Sequence, residues 1–366
     1  MTRAIISTQG NSTQGVSSQG SQVPESAGSR GSIVTPQSWL DMSTNLGGLN
    51  LSSPVLTASG CAAAGRELDN YFNIAELGAI VTKSIMLAPR AGRATPRMAE
   101  TPSGMLNSIG LQGPGVDNFI EQDLAWLNAR GVRTIVSIAG GTAEEFGKVA
   151  AKLRVAGGVD AIEVNISCPN VADRGQVFAC RSDSAANVVQ AVRRNSDSKM
   201  PIFAKLSPDV TDIVEIARSV VSAGATGVSV INTLLGMVMN TTTMRPALAG
   251  VTGGLSGPAI RPVAVRCVWQ IRQAMPEVPI IGMGGIRSGH DALEFILAGA
   301  NAVSVGTSIF NDPSAPIRIQ RELAHELGQR GFPKFSDAVS YAHRTVDLVP
   351  NPAQETFADD WDFITE

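Results

Sequence analysis

The sequence predicts an α/β fold of a single domain, a (β/α)8 TIM barrel with long loops after strands two and six. Three observations predict it. Short Val- and Ile-rich apolar runs recur eight times along the chain. Each run leads through a loop to a segment with helical spacing, and near-continuous apolar strands alternating with helices indicate a parallel sheet buried on both faces. Each run also ends, on its C-terminal side, in polar residues or glycine, the end at which such barrels build their sites. A doubly wound sheet is the alternative architecture, but it rarely needs eight evenly paired units.

In chain order the predicted strands are Pro54–Ser59, Ala79–Lys83, Thr134–Ala139, Ala161–Asn165, Ile202–Leu206, Gly227–Asn232, Pro279–Gly282 and Ala302–Val305. Helices are expected over Asp183–Arg194, Thr211–Ser222, Pro258–Ala274 and Ser288–Ala298. Thr142 with Glu145 three residues later, Asp183, and Ser288 with Asp291 are side-chain acceptors placed to cap helix N-termini. The intervals Ser84–Pro114 and Thr233–Gly257 are long and fall on the functional side of the barrel, where long loops tend to carry function.

Outside the barrel, expected over 37–346, lie two segments of different character. Residues 7–22 read STQGNSTQGVSSQGSQ, too polar to offset the entropy of ordering, so 1–36 is expected to be a disordered leader. Residues 347–366 form an acidic tail, and from Thr345 onward there are six carboxylates and no Lys or Arg. With that tail and the leader, which carries +1, set aside from the net charge of −3, the barrel is slightly basic. The total gives no electrostatic case for nucleic acid or a membrane surface. Ala4-Ile5-Ile6 is too short for a signal peptide core, and the longest uncharged stretch, Ser219 to Met244, is broken by glycines and hydroxyl residues. A cytoplasmic protein is expected. The four cysteines include no C-x-x-C pair, which argues against a zinc or iron–sulfur site built by this chain alone.

The strand ends carry the candidate chemistry. Lys83 and Lys205 close otherwise apolar strands, so each implies an anionic partner: a structural carboxylate, or a bound carboxylate, phosphate or reduced cofactor. Gly284-Gly285 and Gly306-Thr307 each precede a helix start, the pattern by which loops seven and eight of this fold hold phosphate; glycine there can also serve tight turns alone. Cys168 follows strand four in a polar loop. His290, His325 and His343 all sit in helical segments, which leaves Cys168 the leading acid/base candidate. Cys61, Cys180 and Cys267 read as small buried residues.

Taken in order, these motifs are similar to a known family. Ala-Ser59-Gly-Cys, Thr-Lys83-Ser, Asn107-Ser-Ile-Gly-Leu111, Asn165-Ile-Ser-Cys168-Pro-Asn170 and Ala-Lys205-Leu-Ser-Pro come first. Ile-Asn232-Thr233, Gly253-Gly-Leu-Ser-Gly257, Gly-Met-Gly284-Gly285-Ile and Val-Gly306-Thr307 follow. The series resembles class 1 dihydroorotate dehydrogenases over roughly Leu46 to Pro313, closest to the catalytic subunit of the NAD-linked type B enzymes. The resemblance implies a flavoprotein that oxidises (S)-dihydroorotate to orotate in pyrimidine biosynthesis. In it Cys168 would take the C5 proton while hydride leaves C6 for the flavin N5. FMN would be held by Ser59, Lys83, Ser84, Ser137, Asn165, Lys205, Ile231, Gly257, Gly284, Gly285, Gly306 and Thr307. Substrate would be held by Lys83, Asn107, Ser108, Ile109, Gly110, Leu111, Asn165, Asn170, Asn232 and Thr233. Side-chain amides suit a ring of alternating N–H and C=O groups because each both donates and accepts. Ser137 stands where the resemblance implies asparagine, and Cys180 adds a second cysteine to the loop after Cys168.

A partner is implied as well, since the chain shows neither an iron–sulfur cysteine pattern nor the G-x-G-x-x-G spacing. In type B enzymes a second subunit bearing FAD and a [2Fe–2S] cluster passes the electrons to NAD+, in a heterotetramer around a homodimer core. Fumarate as direct acceptor, as in type A enzymes, is the competing route. The other readings are an FMN barrel acting on a different dihydropyrimidine or dihydrouridine, a colourless phosphosugar isomerase or lyase, and a non-catalytic binding barrel.

Overall fold

In a computed structural model the protein is described over residues 40–167 and 181–346. The expected leader and acidic tail lie outside the described residues, as do Cys168, Asn170 and Cys180. All described residues fall in one compact unit.

Eight parallel strands form the central sheet: β1 (Val55–Thr57), β2 (Ile80–Val81), β3 (Thr134–Ile138), β4 (Ala161–Val164), β5 (Ile202–Leu206), β6 (Gly227–Val230), β7 (Ile280–Met283) and β8 (Ala302–Val305). From β2 to β8 each strand pairs with its sequence neighbour, and β8 pairs with β1. The remaining seam is joined by a bridge between Leu56 and Ala79, so the sheet closes. These are the eight predicted runs, shortened by one or two residues at half of their ends and extended by one at Met283.

Side chains alternate about the barrel wall. Leu56, Val81, Ile135, Ala161, Phe203, Ile281, Met283 and Ala302 point inward and pack as one cluster. Outward residues of the same strands, such as Val55, Val136, Ile162 and Val303, pack beneath the helices. Leu46, Leu49 and Leu51 join the inner cluster from a hairpin, Thr44–Leu46 paired with Leu49–Leu51. Its two-residue turn, Gly47-Gly48, has φ of +60° and +103°, a conformation that glycine adopts without strain.

Three of the six long helices begin at a side-chain acceptor. Thr142 accepts from the Glu145 N–H (3.2 Å) at the start of α1 (Ala143–Ala156). Asp212 caps α3 (Ile213–Ser222), and Ser288 caps α5 (Gly289–Leu297) through the Asp291 N–H. Asp183 differs from expectation. It lies inside the first turn of α2 (Ser182–Asn195), ion-paired with Arg181, while Arg181 occupies the cap position. A short 3-10 turn, Pro258–Ile260, precedes α4 (Arg261–Ala274), and α6 (Ala315–Gln329) follows β8. Between β1 and β2 the regular helical structure is two 3-10 turns, Leu68–Asn70 and Ile74–Glu76, so the first unit departs from the predicted strand-then-helix pattern.

The two long intervals are not open loops. Leu234–Gly236, Gly253–Ser256, Gly104–Asn107 and Met98–Thr101 make a four-stranded antiparallel sheet, with Gly254 paired to Asn107 and Leu234 to Leu255. Segments almost 150 residues apart in the chain are thereby joined above the barrel.

Phe203 is fully buried among the inward residues, and a Cβ at neighbouring Gly227 would stand 3.0 Å from its ring. Phe203→Ala is expected to lower unfolding free energy by about 3–5 kcal/mol in urea denaturation. An unchanged midpoint would mean that the barrel interior does not pack around this ring.

Candidate active site at the mouth of the barrel

Seven of the eight strands deliver residues to one cavity of about 310 Å³, a size within the small-molecule range. Ser59, Gly60 and Cys61 come from the end of β1, Lys83 and Ser84 from beyond β2, and Asn165 from beyond β4. Lys205 rises from β5 itself. Ile231, Asn232 and Thr233 follow β6, Gly284 and Gly285 follow β7, and Gly306 and Thr307 follow β8. The antiparallel sheet and its flanks supply Met98, Met105, Asn107, Gly254, Ser256 and Gly257, and the chain after Asn107 adds Ile109, Gly110 and Leu111. All of the sequence-predicted site residues that are described therefore meet here except two. Ser108 is buried outside the cavity lining, its hydroxyl accepting from Arg93 (3.2 Å). Ser137, on β3, faces inward and is fully buried inside the barrel, outside the cavity lining.

Closure of the barrel dictates the charge arrangement. Lys205 and Glu163 face inward from adjacent strands, with 5% and 1% exposure, and their Nζ and Oε1 atoms are 3.7 Å apart. The anionic partner that Lys205 implied is thus, in part, a structural carboxylate. Glu163 escaped the sequence reading, although a lone acid within Ala-Ile-Glu-Val was its available signal. Lys83 also lines the cavity, beside Gly60: a Cβ built on Gly60 would lie 3.8 Å from its Nζ.

Hydrogen bonds fix the polar wall. Asn165 Nδ2 donates to Ser84 Oγ (2.9 Å), and Asn232 Nδ2 donates to Ser167 Oγ (2.6 Å). The Thr233 N–H donates to Asn232 Oδ1 (2.8 Å), and Asn107 Nδ2 reaches the Gly254 carbonyl at 3.4 Å. Gly254 has to be glycine, since a Cβ would lie 2.1 Å from Thr233 Oγ1. Asp209 anchors the sheet from below, accepting from the Leu235 N–H (3.1 Å); burial pushes its carboxyl above the ordinary range, partly offset by that bond and one from Ser207. Cys61 was expected to be bland, yet its side chain is in the lining. Burial raises its thiol above the usual value, with Lys205 and Lys83 pulling the other way, so it is held as a neutral thiol.

The loops after β7 and β8 make an anion cradle. Gly284 and Gly285 have φ of +131° and +78°, and a Cβ on Gly285 would lie 2.7 Å from the Gly257 carbonyl oxygen. Backbone N–H groups of Gly284, Gly285, Gly306 and Thr307 donate to no other described residue. Ser308 Oγ ties the two loops by donating to the Ile286 carbonyl (2.6 Å). Free N–H groups on closely approaching backbone suit phosphate. His290, His325 and His343 are on helices, as expected, and His343 is stacked on Trp269. Among the described residues no group of three or more His, Cys, Asp or Glu could hold a metal, and no helix is long and apolar enough to cross a membrane.

The family model for dihydroorotate dehydrogenase matches residues 41–327. A protein of Geobacter sp. (strain M21), named dihydroorotate dehydrogenase B (NAD(+)), catalytic subunit, is 49% identical over 299 residues, covering 82% of this chain and 97% of its own length. Proteins of the same name from Citrifermentans bemidjiense and Desulforamulus reducens are 51% and 49% identical, covering 78% and 83% of this chain and 93% and 99% of their own. The matched span holds every strand of the barrel and every described residue of its cavity, and the chain belongs to the dihydroorotate dehydrogenase family.

Proposed function

We propose that this protein is the flavin-bearing catalytic subunit that oxidises (S)-dihydroorotate to orotate for pyrimidine (UMP) synthesis. One FMN would be held per chain. Electrons would pass to NAD+ through a partner subunit carrying FAD and a [2Fe–2S] cluster, in a heterotetramer around a homodimer of this chain. The observation that carries the reading is the content of one cavity: two lysines, three asparagines and the glycine loops converge there, in a chain of this family. The relatives' names, which specify a catalytic subunit and NAD(+), support the acceptor and the existence of a partner.

The residues fit FMN. Ser304 lines the cavity, is 1% exposed, and its hydroxyl has no hydrogen-bond partner among the described residues. The glycine cradle, which a single Cβ would obstruct, suits the phosphate. When bound, FMN would supply the acceptor for the hydride, and with it the two electrons, that dihydroorotate loses. Gly284, Gly285, Gly306 and Thr307 would hold its phosphate, with Ser59, Ser84, Ile231 and Gly257 along its length. Lys205, charged and nearly dry, supplies positive charge where reduction adds negative charge. Asn107, Asn165 and Asn232 with Thr233 match the alternating donors and acceptors of the pyrimidine ring, and Lys83 offers a cation to its carboxylate. Met98, Met105, Leu111 and Phe310 give the mouth an apolar lining that excludes water. Cys168, four residues beyond the end of β4, is assigned the proton at C5, with its sulfur as the base.

Three outcomes test the reading. The purified protein should be yellow, or become so with FMN, and dihydroorotate but not dihydrouracil should bleach it without oxygen. A protein that stays colourless with FMN would sink the proposal. Cys168→Ala should keep the flavin and lose about 10²–10⁴-fold in turnover; near-normal turnover at neutral pH would remove the assigned base. Gly285→Ala should weaken FMN binding roughly tenfold or more, because strain of about 1–3 kcal/mol is of that size in an equilibrium constant. Unchanged flavin affinity in that variant would detach the loop from the phosphate.

A further inference from the structure

Glu163 takes no part in the chemistry above, yet it is almost completely buried. A buried carboxylate is costly unless its oxygens are satisfied, so what satisfies this one is informative. Ser137 Oγ donates to Glu163 Oε1 at 3.1 Å. Ser137 Oγ is 3.0 Å from Ser84 Oγ, which in turn is 3.2 Å from Ser59 Oγ and receives Asn165 Nδ2 at 2.9 Å. A chain of hydrogen bonds therefore runs from the barrel floor to the cavity wall.

The direction of that chain follows from counting hydrogens. A carboxylate only accepts, and each serine hydroxyl has one hydrogen and two lone pairs. Ser137 spends its hydrogen on Glu163, so Ser84 must donate to Ser137. Ser84 then has only lone pairs left, which receive Ser59 and the Asn165 amide. Asn165 is thereby locked with Nδ2 toward Ser84 and Oδ1 toward Ser167 Oγ (3.3 Å) and Asn232 Nδ2 (3.4 Å). Ser59 is left presenting acceptor lone pairs to the cavity. The same Oε1 lies 3.7 Å from Lys205 Nζ, beyond hydrogen-bond length, so the ammonium is tethered while its donors stay available.

We infer that Glu163 is a positioning residue: through the Ser137–Ser84 relay it sets which atoms of Ser59 and Asn165 face the bound flavin and pyrimidine. This rests on the proposed function, and it gives Ser137 a role without flavin contact. Chains of this kind polarise one another, and a fully satisfied one holds a single arrangement.

The test uses apoprotein titrated with FMN by fluorescence quenching, and the reloaded protein titrated with orotate. Glu163→Gln, whose amide both donates and accepts, removes the forced direction. Ser137→Ala cuts the relay and leaves the Glu163–Lys205 pair in place. Each should weaken FMN or orotate binding by at least about fivefold and shift the bound flavin's absorption bands, and the double variant should be no worse than the poorer single one, the mark of residues in one network. A merely structural role would lower urea stability and leave the spectrum and orotate affinity of the folded protein unchanged, which would overturn the inference, as would additive losses. If Glu163→Gln does not fold, Ser137→Ala decides alone: wild-type spectrum and affinity in it overturn the relay. A wild-type apoprotein that fails to bind FMN overturns the proposed function instead, and this inference with it.

Discussion

A charged ammonium inside a closed barrel is the constraint from which the rest of the site follows. Lys205 is 5% exposed, and an unpaired charge in such a place would cost several kcal/mol or more. Strand pairing puts the next inward residue of β4, Glu163, within 3.7 Å of it. A buried pair of that kind is weak evidence for stability, because desolvation consumes most of the attraction. Its value is local. It leaves a cation on the cavity floor whose position is set by the barrel wall and not by a mobile loop, and rigid elements place reacting groups better than loops do.

The mouth of the cavity is built on a different principle. Barrel strands end at a common level, so a wall above them must come from the connections. Here the two longest connections pair into one antiparallel sheet, and the Asn107–Gly254 register carries an asparagine to the cavity from one side and makes room beside Thr233 on the other. Backbone hydrogen bonds hold the connections in register, and glycines at the pairing positions let the side chains of neighbouring strands approach.

Much of this was legible in the sequence for physical reasons that differ by element. The eight strands were readable because both faces of each are buried, leaving continuous apolar runs that no surface strand would show. Lys83, Lys205 and the asparagines stood out because they interrupt those runs at one end. Glu163 breaks a run in the same way, but in the middle, where a pattern reading smooths it over. The antiparallel sheet was missed because its strands, such as Met98–Thr101 and Leu234–Gly236, are short, half-exposed and pair across distant sequence. The Leu46–Gly47–Gly48–Leu49 turn carried a readable hairpin signal, Gly-Gly between short apolar runs, that went unread. Ser137, expected in the cofactor shell, is fully buried and meets the lining through its hydroxyl contact with Ser84.

The hairpin Thr44–Leu51 has a consequence for traffic. By adding Leu46, Leu49 and Leu51 to the inward cluster, it stoppers the N-terminal end of the barrel with hydrocarbon, and the interior above it is packed solid. Among the described residues the cavity is lined from the C-terminal ends of the strands and the connections beyond them. A group seated against Lys205 therefore lies deeper than one held between Asn107 and Thr233 at the sheet above the strands. A tenant that stays through many cycles belongs at the bottom, and a visitor that changes with every cycle belongs at the mouth.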